Sequence, residues 1–150
     1  MYVLTGSHNL LLEVTDFYPS LKNPKMYFYD TGLVSALLGI TSAEQLETFY
    51  MRGALFENFV VSELLKKRLF AGKSDELYFW RDSNGVEIDV IEEDNLEIKA
   101  YEIKASETMN TAFFSNIKKI KEIAGLKAEN TAILNTSLLF RPVELIISFL

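Results

Sequence analysis

Three strand-like segments follow one another directly in the middle of this sequence, and their position between two helical patterns limits the folds available to it. Strand-forming residues fill these segments, and the turn sequence Asp82-Ser83-Asn84-Gly85 separates the first two. The segments are 76–81, 86–92 and 96–105; helical patterns cover 52–70 and 108–124, and a fourth strand-like segment covers 131–135. Because the apolar faces of a sheet must be covered by another layer, this order predicts a mixed α/β domain with one sheet between helices.

Shorter elements are predicted on either side of this core. Asp30-Thr31 and Thr41-Ser42 are typical of helix N-termini, and they predict two short helices, the second of them over 43–50. The other predictions are a buried strand at 2–4, a linker at 16–25, a short buried segment at 26–29 and a C-terminal helix with Pro142 in its first turn.

Composition limits the class of protein. The chain has 150 residues, a length that suits one domain with one hydrophobic core. It has no cysteine, which excludes disulfides, thiolate metal sites and cysteine nucleophiles. No apolar run approaches the length of a membrane-spanning helix, and the N-terminal residues do not have the pattern of a secretory signal. These features predict a cytoplasmic protein that does not associate with a membrane.

The net charge of −6 bears on nucleic-acid binding. Proteins that rely on neutralising phosphates usually present a basic surface. Here the basic residues cluster only at 66–68 and 118–121, and each cluster is more typical of a solvated helix face than of a phosphate-binding track. The charge therefore counts against tight binding of nucleic acid by this domain alone.

Glu57 is predicted to lie on the core-facing side of the long helix. Its neighbours three and four positions away are small or apolar: Gly53, Ala54, Val60 and Val61. An unpaired carboxylate is costly to bury in such surroundings, so a glutamate at this position indicates a site. The alternative is a glutamate at the edge of the apolar face, with its side chain reaching water.

Asp89, Glu102 and Lys104 form a second unusual group. Period-two alternation places Glu87, Asp89 and Ile91 on one face of the second strand, and Glu102 and Lys104 on one face of the third. If the hairpin brings these faces together, two carboxylates and an ammonium group converge. Paired carboxylates suit Mg²⁺ or Mn²⁺, and a nearby lysine can stabilise charge developing on a phosphate. The alternative is an exposed, charged hairpin, which a similar Glu-x-Lys pair just upstream favours.

Several segments together resemble one known domain. They are 24–33 (PKMYFYDTGL), 53–64 (GALFENFVVSEL), 77–81 (LYFWR), 85–91 (GVEIDVI) and 101–106 (YEIKAS). They resemble the C-terminal domain of unknown function found in many prokaryotic AAA+ family ATPases. That domain is similar to archaeal Holliday-junction resolvases and other PD-(D/E)xK nucleases. The resemblance implies a restriction-endonuclease-like core, with a central mixed sheet flanked by helices.

The resemblance also implies roles for the four polar residues. Glu57 would be the acid of the first helix, Asp89 and Glu102 the ligands of Mg²⁺ or Mn²⁺, and Lys104 the catalytic lysine. The implied activity is that of a metal-dependent phosphodiesterase, an endodeoxyribonuclease acting on DNA. The alternative is a non-catalytic interaction or targeting module, which the acidic charge favours.

The resemblance further divides the chain into two parts. Residues 1–23 resemble a strand of the ATPase module followed by a linker, and 24–150 correspond to the nuclease-like domain. Neither ATP binding nor ATP hydrolysis is expected, because the phosphate-loop-like segment at 71–74 has Lys67 where the first glycine is required. The strand at 2–4 lacks the sheet of the ATPase module. We therefore expect it to join this domain's sheet or to pair with a second copy in a homodimer.

Overall fold

The computed structural model describes residues 2–6, 11–15, 25–81, 85–94, 97–106, 108 and 110–136, with side chains from residue 25 onward. These residues form one seven-stranded sheet with helices packed on it. The strands are β1 (Tyr2–Gly6), β2 (Leu11–Thr15), β3 (Met26–Phe28), β4 (Leu77–Arg81), β5 (Glu87–Asp94), β6 (Glu97–Lys104) and β7 (Thr131–Asn135), in the sheet order β3-β2-β1-β4-β5-β6-β7. The helices are α1 (Thr31–Leu37), α2 (Ala43–Thr48), α3 (Arg52–Phe70) and α4 (Phe114–Ala124), with 3-10 helices at Thr111–Phe113 and Ala128–Asn130.

Strands β4 to β7 confirm the mixed α/β fold predicted from the sequence. β4, β5 and β6 pair antiparallel, and α4 leads from β6 to β7, which pairs parallel with β6. Helix α3 begins and ends at the predicted residues, whereas α4 begins six residues later than predicted. A 3-10 turn comes first, because the side chain of Asn110 accepts a hydrogen bond from the backbone of Ala112. α4 ends at Gly125, whose φ of 65° favours glycine.

The caps predicted for the two short helices are confirmed. Oδ1 of Asp30 accepts from the backbone N–H of Leu33 at 3.1 Å, at the start of α1. Oγ of Ser42 accepts from the backbone N–H of Gln45 at 3.3 Å, at the start of α2. Helix α2 ends at Thr48, two residues before its predicted end.

Two apolar layers lie on opposite faces of the sheet. The layer beside α3 includes Phe56, Val60, Val61, Leu64, Leu65, Phe79, Val90, Tyr101 and Ile103. The layer beside α4 includes Ile88, Ile91, Ala100, Ile117 and Ile120. Ala100 and Tyr101 are neighbours on β6 and belong to different layers, as the alternation of a strand requires.

The alternation predicted for β5 is wrong beyond Asp89. The register of β4 against β5 shifts between Tyr78 and Trp80, where two residues of β5 lie opposite one residue of β4. This irregularity is a β-bulge, which changes the direction of the side chains that follow it. Ile91 therefore joins the layer beside α4, and Val90 joins the layer beside α3.

The N-terminal strands belong to the same sheet. β1 pairs antiparallel with β4, which is one of the two outcomes expected for this segment, and β2 and β3 extend the sheet beyond it. Of the other predictions, the linker up to residue 24, the turns at 82–84 and 95, and the C-terminal helix at Pro142 lie outside the described residues. Among the helices of the described part, none is long and apolar enough to cross a membrane.

Asn58 fixes β3 against α3. Its buried amide accepts from the backbone N–H of Phe28 at 2.7 Å, and it donates to the carbonyl oxygen of Phe28 at 3.0 Å and to Oγ1 of Thr31 at 2.8 Å. Among the described strands, β3 is at the edge of the sheet and has one neighbour, β2. These three hydrogen bonds therefore help to position Lys25, which immediately precedes β3.

Replacing Asn58 by alanine should lower the free energy of unfolding by about 3 kcal/mol, because the polar backbone groups of Phe28 lose their partners in a largely buried setting. Urea denaturation of wild type and variant measures this change. The control is Gln45→Ala, which removes exposed hydrogen bonds to Thr41 and should cost about 1 kcal/mol or less. Equal losses in the two variants would contradict the role given to Asn58.

Candidate functional site

The sheet divides between β5 and β6, and the candidate site lies where it divides. The pairing of β5 with β6 ends at Val90↔Tyr101. Before that point β5 stays paired with β4, and after it β6 stays paired with β7 as far as Lys104↔Asn135. Asp89 lies at this fork, and its Oδ2 accepts from the backbone N–H of Ile103 at 2.8 Å. A carboxylate oxygen thus takes the place of a backbone acceptor between the separating strands.

Glu102 and Lys104 of β6 lie at the same fork. The ammonium group of Lys104 is 2.7 Å from Oε1 of Glu102 and 3.9 Å from Oδ2 of Asp89. Asn116 of α4 also donates to Oε1 of Glu102, at 3.2 Å. The other oxygen, Oε2, is buried and has no hydrogen-bond partner among the described residues. The Glu102 side chain is only 3% exposed, so the lone pairs of this oxygen are buried without a hydrogen bond from the described residues.

Glu57 lies on the other side of Asp89, beyond Lys25. The ammonium group of Lys25 is 2.8 Å from Oε1 of Glu57, 2.5 Å from Oε1 of Glu87 and 3.3 Å from Oδ1 of Asp89. The hydroxyl of Tyr27 donates to the same oxygen of Glu57 at 2.5 Å. One lysine therefore joins three carboxylates that come from α3 and β5.

The structure brings the four predicted residues into one connected network, but not by the predicted route. Asp89 faces α3 with Glu57, whereas Glu102 faces α4 with Asn116. The faces of Asp89 and Glu102 are thus opposite, and the expectation that the hairpin brings one common face together is wrong. The two residues approach each other because β5 and β6 separate, which lets Lys104 reach both. In the described part of the chain, no three acidic side chains are arranged to hold one metal ion.

Glu57 was predicted to lie among buried residues on both sides, but only the residues that follow it on α3 are buried at these spacings. Gly53 and Ala54, one turn earlier on α3, are exposed, whereas Val60 and Val61, one turn later, are buried. Glu57 therefore lies where the buried face of the helix begins. From there its side chain reaches Lys25 rather than open solvent.

Burial and charge shift the pKa values of this site in a consistent pattern. Burial, together with the neighbouring charge of Glu57, raises the pKa of Asp89. Burial, with the charge of Asp89, likewise raises the pKa of Glu102 above its usual value. Burial alone would lower the pKa of Lys25, but the carboxylates of Glu57 and Asp89 outweigh it and raise that pKa. Lys104 behaves in the same way, chiefly through its hydrogen bond to Glu102, and its pKa is raised. Both lysines are therefore positively charged at neutral pH.

Sequence reasoning missed Lys25, Tyr27, Glu87 and Asn116. Lys25 lies in the predicted linker and Tyr27 in the predicted short buried segment, and no periodicity connects them with residues 57 or 89. Glu87 could have been found, because it lies two residues before Asp89 on the same strand face. Asn116 gives no signal in the sequence, since its part depends on how α4 crosses the sheet.

The other candidate segments are structural where they are described. Lys73 forms an ion pair with Asp94, and the guanidinium group of Arg68 donates to the carbonyl oxygen of Ser74 at 3.0 Å and to its Oγ at 3.1 Å. The segment at 71–74 thus closes the end of α3 against β5. Phe79 is buried in the core.

The donor set at the fork is compatible with one hard divalent cation. Asp89 and Glu102 offer carboxylate oxygens, and Oε2 of Glu102 is buried without a partner in the described part of the chain. Mg²⁺ is usually held by one or two carboxylates, several waters and the phosphates of a substrate. Two carboxylates therefore suffice for such an ion, although three acidic ligands are not assembled around one point.

Comparison with models of protein families identifies the family of this chain. Residues 52–148, which are more than half of it, match the model of a domain of unknown function, DUF4143. The chain belongs to the DUF4143 family. The matched range contains Glu57, Asp89, Glu102 and Lys104 but not Lys25. The site of this DUF4143 protein is therefore built partly from residues that precede the matched range.

Curated relatives of this DUF4143 protein are themselves uncharacterised. It is 37% identical over 87 residues to the uncharacterized protein Mb2031c of Mycobacterium bovis and, to the same degree, to the uncharacterized protein Rv2008c of Mycobacterium tuberculosis. The match covers 58% of this chain and 19% of each relative, so the chain spans about a fifth of their length. No solved structure matches it.

Without metal, Asp89→Asn should be as stable as wild type or slightly more stable at about pH 7. The raised pKa of Asp89 means that its ionised form is disfavoured in the folded state. Its contribution to stability is therefore fully present below the ordinary aspartate pKa of 3.8 and is lost as the pH rises through the folded-state value. The advantage of the variant should shrink as the pH falls toward 3.8. Thermal melts of wild type and variant in a chelating buffer at several pH values measure this difference in stability.

Asp94→Asn is the matched control, and its effect on stability at neutral pH should have the opposite sign. The hydrogen bond from Lys73 lowers the pKa of Asp94, so its contribution to stability is present above 3.8 and is lost as the pH falls below it. This variant should melt below wild type at neutral pH. If Asp89→Asn also melts well below wild type in chelator at neutral pH, the electrostatic description of the fork is wrong.

Proposed function

We propose that this DUF4143 domain is a metal-dependent phosphodiesterase that cleaves DNA and has a PD-(D/E)xK nuclease-like core. The observation that carries the proposal is the meeting of Asp89, Glu102 and Lys104 at the fork of β5 and β6. Two carboxylates of raised pKa lie there beside an ammonium group, and one carboxylate oxygen is buried without a partner among the described residues. Such a set fits hard-cation chemistry on a phosphate.

Each residue has a part in this proposal. Asp89 and Glu102 would hold Mg²⁺ or Mn²⁺, which when bound supplies a Lewis acid and a water of lowered pKa. Asn116 orients Glu102 through Oε1, and the backbone N–H of Ile103 orients Asp89 through Oδ2. Lys104 is about one-third exposed, so its charge can also face an incoming phosphate and stabilise the charge that develops on it. Glu57 acts indirectly, by binding Lys25.

The proposal includes the setting in which the domain works. The sequence resembles the C-terminal domain of prokaryotic AAA+ family ATPases, and the matched segment covers only 19% of each curated relative. We infer that the domain acts in a cytoplasmic protein associated with an ATPase, which would bring it to DNA. Such delivery would compensate for the net charge of −6, since the domain itself lacks the excess of basic residues on which tight binding depends.

A second candidate function is a non-catalytic interaction module with the same fold. The observation that favours it is that both lysines of the site are already paired with carboxylates, which leaves less positive charge to receive a phosphate. In this case the acidic network stabilises the fork and has no chemical role. The two candidates differ in whether a divalent cation binds at Asp89 and Glu102.

Wild type should cleave DNA in the presence of Mn²⁺ or Mg²⁺, and Asp89→Asn, Glu102→Gln and Lys104→Met should each lower the rate by about 100-fold or more. The assay compares linear duplex, single-stranded and four-way-junction DNA, with a chelator as the blank. In parallel, Mn²⁺ at ten times its Kd should raise the Tm of wild type by about 4 °C, because it binds only the folded state. Asp89→Asn and Glu102→Gln should lose most of this rise.

Glu97→Gln is the matched control, because Glu97 belongs to the upstream Glu-x-Lys pair and is exposed on β6. It should keep both the cleavage rate and the Tm shift of wild type. An equal Tm shift in all variants, with no cleavage of any substrate, would reject the nuclease and favour the interaction module. A Tm shift that depends on Asp89 without cleavage would support metal binding alone.

A further inference from the structure

Lys25 occupies the position that a cation would take among three carboxylates. Its ammonium group lies between 2.5 and 3.3 Å from one oxygen each of Glu57, Glu87 and Asp89. Oxygens at such distances on several sides of a point form the usual surroundings of a bound cation. The Lys25 side chain is only 16% exposed, so its charge is largely removed from solvent. This is a built arrangement rather than a chance contact of a surface lysine.

Several further contacts hold the ammonium group in place. The ring of Phe79 lies 5.5 Å from it, within the range of a cation–π interaction. Tyr27, two residues later, donates to the same oxygen of Glu57 that Lys25 binds. Arg81 binds the other oxygen of Glu87 at 2.7 Å. With β3 fixed to α3 by Asn58, the lysine is restrained at both its backbone and its charged end.

The second half of the site is different. Between Asp89 and Glu102 lies Lys104, whose ammonium is 2.7 Å from Oε1 of Glu102 and 3.9 Å from Oδ2 of Asp89. Its side chain is about one-third exposed, roughly twice the exposed fraction of Lys25. Oε2 of Glu102 has no partner among the described residues. Each half of the acidic network therefore contains a lysine, but only the second half keeps a buried carboxylate oxygen without a partner among the described residues.

We propose that Lys25 is the permanent cation of the Glu57–Glu87–Asp89 half, so that the site takes one divalent ion at Asp89 and Glu102 instead of two. This inference rests on the proposed metal site and specifies its occupancy. Two-metal phosphodiesterase sites hold their ions about 4 Å apart. A second ion bound by Glu57 and Asp89 would lie within a few ångströms of the Lys25 ammonium, where like charges in a partly dry site repel strongly. Lys104 can relieve the same repulsion by turning toward solvent, because it is about one-third exposed, whereas the largely buried Lys25 cannot. Lys25 is thus a positioning residue that sets the number of ions.

The test is calorimetric titration of the full chain with Mn²⁺, which counts bound ions without any activity measurement. Wild type should bind about one Mn²⁺ per chain, and Lys25→Ala, which removes the ammonium and leaves room, should bind about two. Lys25→Arg keeps the charge and should remain at about one. Lys73→Ala removes a lysine from a different ion pair, that with Asp94, and should behave as wild type. Circular dichroism checks the fold of each variant.

Glu57→Gln keeps the inference testable even if Lys25→Ala does not fold. Because Glu57 binds Lys25 and not the metal, this variant should keep the Mn²⁺ affinity of wild type within about threefold. A loss of about tenfold or more would make Glu57 a metal ligand and overturn the inference. Two ions bound by wild type, or one ion bound by a folded Lys25→Ala, would also overturn it while leaving the proposed function intact. Wild type that binds no Mn²⁺ would reject the proposed metal site itself and this inference with it.

Discussion

Ion pairing between two lysines and a group of half-buried carboxylates is the interaction on which the rest of this structure depends. An unpaired carboxylate beside apolar layers costs several kcal/mol, roughly the stability margin of a small domain. Lys25 and Lys104 remove this cost by binding Glu57, Glu87, Asp89 and Glu102 over short distances. The compensation is incomplete at Asp89 and Glu102, whose pKa values stay raised. Because the ionised forms of these two carboxylates are still disfavoured, any further cation that binds beside them stabilises the site.

The sheet geometry decides where these carboxylates lie. A bulge in β5 and the end of its pairing with β6 come together around Asp89. Because β5 and β6 no longer pair there, the backbone N–H of Ile103 needs another acceptor, and the side chain of Asp89 supplies it. The same opening lets groups from opposite faces of the sheet meet. The fork is thus both an interruption of the ladder and the place where polar side chains can be concentrated.

Much of the core could be predicted from the sequence, and the limits have physical causes. Helix α3 and strands β4 to β7 were predictable because each is a run of helix-forming or strand-forming residues, and the turn sequence at 82–85 separates β4 from β5. The alternation in β5 was not, since a bulge depends on how two strands twist against each other and leaves little trace in one strand's composition. Glu57, Asp89, Glu102 and Lys104 were identified as candidates, yet their opposite faces were not foreseen. Lys25 was missed because its contacts, 32 and 64 residues away, depend on the packing of β3.

The position of Lys25 in the sequence, before the matched range, has a consequence for any fragment of this chain. The segment recognised as DUF4143 begins at residue 52, after β3. The carboxylates of Glu57, Glu87 and Asp89 thus lie inside the recognised unit, while the ammonium that balances them lies outside it. A fragment cut at the boundary of that unit would keep the negative charges and lose their counter-ion. In this chain the net charge of the site therefore depends on a residue that precedes the matched range.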